Sequence, residues 1–281
     1  MTNRSAGVFA SGFRFPEGPA FDRCGNLFVV DIDTGRVSKI STEGKMEVFV
    51  HTGGEPNGAA FHANGDLYIA DRTKGIMAVS PDGFIRVIAD QFQGRKFYGP
   101  NDLAFDYRGN LYFTDPLGSS SENPFGCIYR ISNDGEITCM ATGLPFPNGL
   151  LVNKEGSCLF VAITRKNRIL RYVLDPPPFR SYLFSQFTGG WGPDGMALDE
   201  QGHLYIAHYG GGDVLVVNPK GGLIERIPVG GNFPTNLAFG GPDRKTLYVT
   251  EVETGSVYRI ETDSPGLELY SHKKNERILK E

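Results

Sequence analysis

Apolar and polar residues alternate along short runs throughout the chain, and turn residues separate one run from the next. Residues Arg36–Ile40 and Met46–His51 are two such runs, joined by a short polar turn. Alternation of this kind, bounded by Gly, Asp-Gly or Asn-Gly, indicates antiparallel strands connected by hairpins. No segment has a sustained helical period. The pattern therefore predicts an all-β protein.

One module recurs six times. Each copy begins with Pro and a polar residue, continues as an apolar strand, and passes through a Gly turn into a second strand rich in Leu, Tyr, Phe and Val. The copies begin at Pro16, Pro56, Pro100, Pro147, Pro193 and Pro234. Since another pair of strand patterns lies between successive copies, each period of about 40 to 47 residues holds about four strands.

Four strands in a unit of this length are typical of a β-propeller blade, whose two faces pack against the neighbouring blades. We therefore predict one domain, residues 1–281, folded as an all-β six-bladed β-propeller with four-stranded antiparallel blades. Residues 7–12 resemble the outermost strand of a blade and are expected to pair with the last blade and close the ring, although residues 267–270 compete for that edge. The short charged tail, residues 272–281, is expected to fray.

Composition and charge restrict the expected partners. The net charge of −4 and the pI of about 5.8 leave no basic face for phosphates, so no nucleic-acid partner is expected. No apolar run approaches the roughly 20 residues of a membrane span, and residues 1–11 lack the apolar core of a signal peptide, so we expect a cytoplasmic protein that does not contact a membrane. No heptad or exposed apolar stripe indicates a subunit interface, which favours a monomer or a weak homo-oligomer. The four cysteines are expected to be free thiols.

The polar residue after each repeated Pro is the main candidate for chemistry. The first strand of each propeller blade lines the central channel, so these six residues are expected to form a ring at one end of it. The ring comprises Glu17, Asn57, Asn101, Asn148, Asp194 and Thr235. Every member carries a side-chain oxygen that can coordinate a cation. The alternative is a structural role, because Asn and Asp are favoured in turns, where they bond the local backbone.

Acidic side chains occur in this ring only at Glu17 and Asp194. Two carboxylates on a narrow axis repel each other unless a cation or a proton lies between them. Carboxylate and amide oxygens are hard ligands that suit Ca²⁺, Mg²⁺ or Mn²⁺, and Zn²⁺ or Fe²⁺ also stay open. The sequence predicts one divalent cation on the channel axis, with Ca²⁺ as the first candidate.

A second polar series stands where the second strand of each module ends. It consists of Asp31, Asp71, Asp115, His208 and Glu251. Most of these residues are expected to bond neighbouring backbone, whereas Asp115, in the sequence FTDP, is singled out as a candidate for proton transfer. The chain has no nucleophile elbow, zinc-binding helix or phosphate loop, so a serine hydrolase or a nucleotide enzyme is not expected.

These motifs resemble the SMP-30/gluconolactonase/luciferin-regenerating enzyme family, six-bladed propellers that include metal-dependent sugar lactonases. The resemblance spans nearly the whole chain and rests on FPEGPAFD, GPNDLAFDYRGNLYFTDP, FPNGLLV and GPDGMALDEQGHLYIA. It implies that Glu17, Asn148 and Asp194 are metal ligands. It also implies that Asn101 contacts substrate or metal, and that Asp115 lies where the bacterial lactonases carry a TDP motif.

One departure from the family concerns the substrate. Gly99 stands where the animal-type members carry an Arg, which puts their style of sugar-lactone recognition in doubt. Aromatic residues around the expected mouth would suit a less polar substrate, although propeller cores are aromatic too. They are Phe97, Tyr98, Phe125, Phe146, Trp191 and Phe233. Tyr98 and Trp191 are the expected aromatic substrate contacts.

Three functions are compatible with these features. The first is a divalent-metal-dependent lactonase, a carboxylic ester hydrolase in which Asp194 or Asp115 accepts the proton and Asn101 and Asn57 orient the substrate. The second is a related metal-dependent esterase or phosphotriesterase that acts on a less polar substrate. The third is a non-catalytic metal-binding platform. The first two imply a small-molecule lactone or ester as the partner.

Overall fold

A computed structural model of the chain describes residues 4–174 and 179–273, and these residues form a ring of six antiparallel sheets. Each sheet has four strands, as the repeated module predicts, and the predicted all-β six-bladed propeller is confirmed. A two-stranded hairpin and two short 3₁₀ turns, Thr164–Lys166 and Tyr270–His272, are the other regular elements of the described part. No helix in this part is long and apolar enough to cross a membrane.

The first half of the chain forms an initial strand, blades 1 and 2, a hairpin and blade 3. The initial strand is β1 (Gly7–Ser11). Blade 1 consists of β2 (Pro16–Phe21), β3 (Leu27–Asp31), β4 (Arg36–Ile40) and β5 (Met46–His51). Blade 2 consists of β6 (Pro56–Phe61), β7 (Leu67–Asp71), β8 (Gly75–Val79) and β9 (Ile85–Ala89). The hairpin is β10 (Gln91–Phe92) and β11 (Arg95–Lys96), and blade 3 is β12 (Leu103–Phe105), β13 (Leu111–Asp115), β14 (Gly126–Ile131) and β15 (Ile137–Leu144).

The second half supplies the remaining three blades. Blade 4 consists of β16 (Pro147–Val152), β17 (Cys158–Ile163), β18 (Arg168–Val173) and β19 (Arg180–Gln186). Blade 5 consists of β20 (Gly192–Leu198), β21 (Leu204–Tyr209), β22 (Asp213–Val217) and β23 (Leu223–Pro228). Blade 6 takes β24 (Pro234–Gly240), β25 (Thr246–Glu251) and β26 (Ser256–Glu261) from this half.

The N-terminal strand completes blade 6. Strand β1 pairs antiparallel with β26, with Gly7 opposite Arg259 and Ser11 opposite Ser256. The competing stretch, residues 267–270, lies elsewhere: the backbone N–H of Leu267 donates to the carbonyl oxygen of Leu198. The ring is therefore closed by pairing the two ends of the chain, and residues 274–281 of the charged tail lie outside the described part.

Apolar side chains fill the space between neighbouring blades. Six buried clusters account for this core, and each joins the facing sides of two adjacent blades. Between blades 3 and 4, for example, Ile128 packs in one cluster with Leu159 and Val161. Each sheet is thus covered on both faces, which explains the nearly continuous apolar strands such as β3 and β8.

Threonine hydroxyls join adjacent blades near the channel. Thr114 Oγ1 of blade 3 donates to the Asn148 carbonyl of blade 4 at 2.8 Å. Thr164 Oγ1 of blade 4 donates to the Pro193 carbonyl of blade 5 at 2.8 Å. These buried bonds hold the first strands in fixed positions around the axis, because a buried carbonyl that lost its donor would carry a desolvation penalty.

Glycines allow the first strands to approach the axis closely. A Cβ atom on Gly149 would lie 2.2 Å from the carbonyl oxygen of Asp194, and one on Gly58 would lie 2.5 Å from Asp102 Oδ1. Four blades have Gly at this position, directly after the ring residue, whereas blade 3 has Asp102 and blade 6 has Asn236. Only these two blades place a side chain at this level of the channel.

Candidate metal centre

The six ring residues are all buried at one end of the channel. In five blades the pairing between first and second strands shifts register within four residues of the repeated Pro. An irregularity of this kind turns the backbone and re-aims a side chain. In blade 3 the strand proper begins only at Leu103, and the Asn101 N–H donates to the Thr114 carbonyl at 2.9 Å.

One member of the ring has a structural task. The Thr235 hydroxyl donates to the Pro16 carbonyl at 2.8 Å and lies 2.8 Å from the Thr250 hydroxyl. It therefore joins blade 6 to blade 1, in the way that Thr114 and Thr164 join their neighbours. The other five ring residues carry carboxylate or amide oxygens.

The two ring acids, Glu17 and Asp194, share an environment that disfavours ionisation. Burial raises the pKa of Glu17, and the charge of Asp102 raises it further. Burial also raises the pKa of Asp194 well above its usual range, with Glu17 as the next cause. The local partner of Glu17 is the backbone N–H of Gly18, 3.0 Å from Oε2. A cation between these carboxylates would relieve their repulsion.

Asn148 presents an acceptor atom to the same space. Its amide Nδ2 donates to Thr164 Oγ1 at 3.2 Å, which fixes the orientation of the amide. Its Oδ1 is buried and has no hydrogen-bond donor among the described residues. A buried acceptor without a donor is costly unless it binds something else, and a hard cation is a suitable ligand for it.

A metal ion at the ring would need both carboxylate and amide oxygens as ligands. No three histidine, cysteine or carboxylate side chains in the described ranges are arranged to hold a metal by themselves. The predicted ligands Glu17, Asn148 and Asp194 combine two carboxylates with an amide, the hard oxygen donors that Ca²⁺ and Mg²⁺ prefer. The residues present fit such a cation.

Asp102 and Asn236 form a layer beneath the ring that the sequence reading missed. Asn236 Nδ2 approaches Asp102 Oδ2 at 3.5 Å, across the channel between opposite blades. Burial raises the pKa of Asp102 to about 6. The available signal was the repeat itself, because these two copies break the run of Gly at the position after the ring residue.

Arg72 is a second residue that the sequence reading missed. With the Asn57 amide turned so that its oxygen faces the donors, this oxygen accepts from Arg72 Nε and Nη2 at 3.1 Å each and from Asn101 Nδ2 at 3.0 Å. The predicted substrate contacts Asn57 and Asn101 are thus brought together, with a guanidinium beside them. The residue directly follows Asp71 at the end of a second strand, where a cation is unique among the six copies.

Aromatic rings stand at the mouth of the channel on the blade 5 side. Trp191 is 59% exposed, and its ring packs edge-on against Tyr209 with centroids 5.6 Å apart. Phe233 contacts both rings. Burial raises the pKa of Tyr209, and the charges of Asp194 and Glu17 raise it further. Tyr209 was not identified from the sequence.

Tyr98 and Asp115 lie together at the blade 3 side of the mouth. Asp115 Oδ2 accepts the Tyr98 N–H at 3.0 Å, and Oδ1 accepts the Gly99 N–H at 2.7 Å. Asp31 and Asp71 bind the backbone before their own first strands in the same way. Asp115 therefore has the contacts of a residue that anchors a loop, and it is not brought into contact with the ring acids.

The Tyr98 side chain is partly buried and packs against the core between blades 2 and 3. Its ring packs against Phe125 with centroids 4.7 Å apart, and the Arg95 guanidinium lies 4.7 Å from its centroid. The Arg95 Nη1 atom also donates to the Tyr98 hydroxyl at 2.7 Å. Tyr98 thus lies near blade 3, whereas Trp191 directly precedes the first strand of blade 5.

Known proteins that resemble this chain include hydrolases. The chain is 32% identical to diisopropyl-fluorophosphatase of Loligo vulgaris over 290 residues, which covers 90% of this chain and 91% of that protein. It is 34% identical to lactonase drp35 of Staphylococcus aureus over 229 residues, 76% of this chain and 70% of that protein. A solved gluconolactonase of Xanthomonas campestris matches with a TM-score of 0.84 at 24% identity, covering 94% and 91% of the two chains, and supports the fold.

The family resemblance drawn from the repeated motifs is confirmed at the level of the whole sequence. The family model described as the SMP-30/Gluconolactonase/LRE-like region matches residues 15–253. This range contains all six copies of the module and every ring residue. The chain belongs to the SMP-30/gluconolactonase/LRE-like family.

Proposed function

We propose that this protein is a divalent-metal-dependent hydrolase that opens a lactone ring. One observation carries the proposal: two buried carboxylates, Glu17 and Asp194, stand beside the donor-free Asn148 Oδ1 at the base of a mouth. Such an oxygen set at the base of an open recess suits a cation that also contacts substrate. The lactonase and fluorophosphatase relatives support hydrolysis as the reaction class.

The cation would be held by Glu17, Asn148 and Asp194. When bound, a divalent cation polarises a carbonyl group and lowers the pKa of a water molecule. Ca²⁺ is the first candidate because carboxylate and amide oxygens surround the position, and Mg²⁺, Mn²⁺, Zn²⁺ and Fe²⁺ are the alternatives to be tested.

The chain's own residues handle the proton. In the proposed reaction Asp194 takes a proton from the attacking water, whose oxygen bonds to the lactone carbonyl carbon. The ring C–O bond then breaks, and the proton passes to the ring oxygen, which leaves as the hydroxyl of a hydroxy acid. Asp194 is preferred to Asp115 for this role, since both oxygens of Asp115 already accept backbone N–H groups.

The remaining predicted site residues would position the substrate. Asn101 and Asn57 lie side by side at the ring, so their amides are suited to orient the polar atoms of the lactone. Tyr98 and Trp191 provide aromatic surface on different sides of the mouth. We propose that they contact the apolar part of the substrate.

A second candidate is hydrolysis of a phosphotriester or an aryl ester at the same centre. The fluorophosphatase relative favours it, because its similarity extends over 90% of this chain. The aromatic mouth, with Trp191, Tyr209 and Phe233 in mutual contact, also suits a substrate less polar than a sugar lactone.

Metal reconstitution tests both candidates. The chelated protein would receive each of the five cations separately and be assayed with γ- and δ-lactones, aryl esters and a phosphotriester. We expect one cation to restore lactone hydrolysis, and Asp194→Ala and Asn148→Ala to abolish it. Asp33→Ala, which removes an exposed acid from a neighbouring turn, is the matched control and should retain activity.

The pattern of substrates decides between the functions. Turnover of phosphotriesters or aryl esters without lactones would replace the first proposal with the second. A protein that binds a cation through Asp194 but hydrolyses nothing in the panel would instead support the non-catalytic platform.

A further inference from the structure

Arg72 is a fixed charge at the edge of the ring. It directly follows β7, and its backbone N–H donates to the Glu55 carbonyl at 3.0 Å. Two donors of its guanidinium, Nε and Nη2, point at the same Asn57 amide oxygen, and this oxygen also accepts from Asn101. The half-buried side chain is therefore held toward the channel instead of extending into solvent.

The Arg72 guanidinium forms no direct ion pair with a described carboxylate. Within the described ranges no carboxylate oxygen lies within 4 Å of a nitrogen of Arg72, although six other arginines and lysines do form such pairs. The positive charge of Arg72 lowers the pKa values of Glu17 and Asp194, by less than burial raises them. A divalent cation bound by these two carboxylates matches their charge, and Asp102 is a third acid beneath the ring. Arg72 has no direct ion-pair partner among the described residues, so the guanidinium N–H groups that Asn57 does not engage are available to a ligand.

The opposite side of the mouth shows where a ligand of Arg72 would lie. Blade 2 carries Arg72, and blade 5, which is opposite in the ring, carries Tyr209 and Trp191. The positive charge of Arg72 lowers the pKa of Tyr209 slightly, against the larger effects of burial and the acids. A ligand in the mouth would therefore have a guanidinium on one side and aromatic rings on the other.

We propose that Arg72 binds a carboxylate substituent of the substrate. A guanidinium has five N–H donors in a planar fork that matches a carboxylate, and the Asn57 oxygen engages only two of its nitrogens. The substrate class would be lactones that carry a carboxylate on the ring, with the flat ring against Trp191 and Tyr209. This inference rests on the proposed lactone hydrolysis and deepens it.

Binding of an inert analogue tests the inference without turnover. The probes are 3-oxocyclopentane-carboxylate, which has no ring C–O bond to break, and its uncharged carboxamide. Affinities for the Ca²⁺-loaded and the chelated protein would be measured by calorimetry. Trp191, the single tryptophan of the chain, provides an independent fluorescence signal at the mouth.

We expect the carboxylate to bind the Ca²⁺-loaded protein about 10- to 100-fold more tightly than the carboxamide, as is typical of a charged hydrogen bond. Arg72→Gln should reduce this preference to within about threefold, and Arg72→Lys should retain part of it. Lys74→Gln removes an exposed cation from the same turn and is the control. Equal binding of the two probes, or an unchanged preference in Arg72→Gln, would overturn the inference.

A third probe separates the two possible sources of a carboxylate. Ring opening itself creates one, so 4-hydroxybutyrate represents the product of an unsubstituted lactone. If it depends on Arg72 as strongly as the cyclic carboxylate does, Arg72 recognises product and the inference about the substrate is wrong.

Failure of the two proposals can be told apart. Metal-dependent opening of uncharged lactones that is equal in the wild type and in Arg72→Gln, without preference for charged ones, would leave the proposed function intact and refute the inference. Arg72-dependent binding of the carboxylate by a protein that opens no lactone would refute the proposed function alone.

Discussion

At the scale of single residues, the six ring positions are equivalent in sequence and different in task. Thr235 uses its hydroxyl to join two blades, whereas Asn148 leaves its oxygen without a donor. Asn57 holds Arg72, and the two acids repel each other in a buried space. Position in the repeat thus determines where a side chain lies, and the neighbours in three dimensions determine what it does.

The raised pKa values of Glu17 and Asp194 predict how stability depends on pH. A carboxyl whose pKa is raised by folding favours the folded state at low pH, and this contribution is lost as pH rises through the folded pKa. The melting temperature of the chelated protein should therefore fall between about pH 5 and about pH 8. Added cation should suppress this fall, and scanning calorimetry at both pH values measures the difference.

Glu17→Gln provides the matching mutational test. Because the substitution removes one of the mutually repelling buried charges of Glu17, Asp194 and Asp102, the chelated variant should melt at a higher temperature than the chelated wild type at pH about 8. The same variant should bind the cation more weakly. A chelated variant that melts at or below the wild-type temperature would contradict the assignment of repulsion among these buried carboxylates.

Asp102 should strengthen cation binding from beneath the ring. Burial raises its pKa to about 6, so most of the group is ionised at pH about 8 and adds negative potential to the site. Asp102→Asn keeps the size of the side chain and should weaken Ca²⁺ binding about 10-fold, measured by calorimetry. Asp33→Asn, an exposed acid, should have little effect because solvent screens its charge.

At the scale of elements, irregular strand pairing is what creates the site. Regular β pairing would send successive side chains to opposite faces of the blade, whereas the register shift after the repeated Pro turns the ring residues toward the axis. The sequence predicts the strands because alternation and turn residues are local features. It does not predict the short β12 or the inserted hairpin β10–β11, which depend on packing between blades 2 and 3.

The hydrogen bond by which Thr235 joins blade 6 to blade 1 can be tested directly. Thr235→Val keeps the shape of the side chain but removes the hydroxyl that donates to the Pro16 carbonyl. We expect a loss of about 1–3 kcal/mol in the free energy of unfolding, because the buried carbonyl loses a donor. Thr235→Ser should retain most of the stability. Urea denaturation of the three proteins measures this, and equal midpoints would refute the role of the hydroxyl.

At the scale of the whole molecule, the repeat made the architecture predictable and left part of the site hidden. Six copies predict six blades, and the residue after each Pro predicts the ring. The sequence did not reveal four residues of the site, because their roles depend on blades that face each other across the channel: Arg72, Asp102, Tyr209 and Asn236. Asp102 and Asn236, for example, are more than 100 residues apart in the sequence. A single sequence does not show which residues far apart along the chain lie close together in the fold.

The far end of the channel is covered by the C-terminal segment. Leu267, Leu269 and Tyr270 are among the side chains that line a cavity of about 140 Å³ below Asp102 and Asn236. Ending the chain at Pro265 should lower the melting temperature, since it exposes apolar surface of the first strands. Cation affinity should stay within about twofold of the full chain, because the ring lies on the other side of the Asp102 layer. A large loss of affinity without a loss of stability would contradict this separation.

The covered far end of the channel determines how substrate enters the site and how product leaves it. Among the described residues, Asp102 and Asn236 meet across the axis and the C-terminal segment lies beyond them, so this end of the channel is covered and the mouth beside the ring is the entrance. Substrate and product would then use the same entrance, so they cannot occupy the site together. The hydroxy acid formed by hydrolysis should therefore inhibit competitively, raising the apparent KM and leaving kcat unchanged.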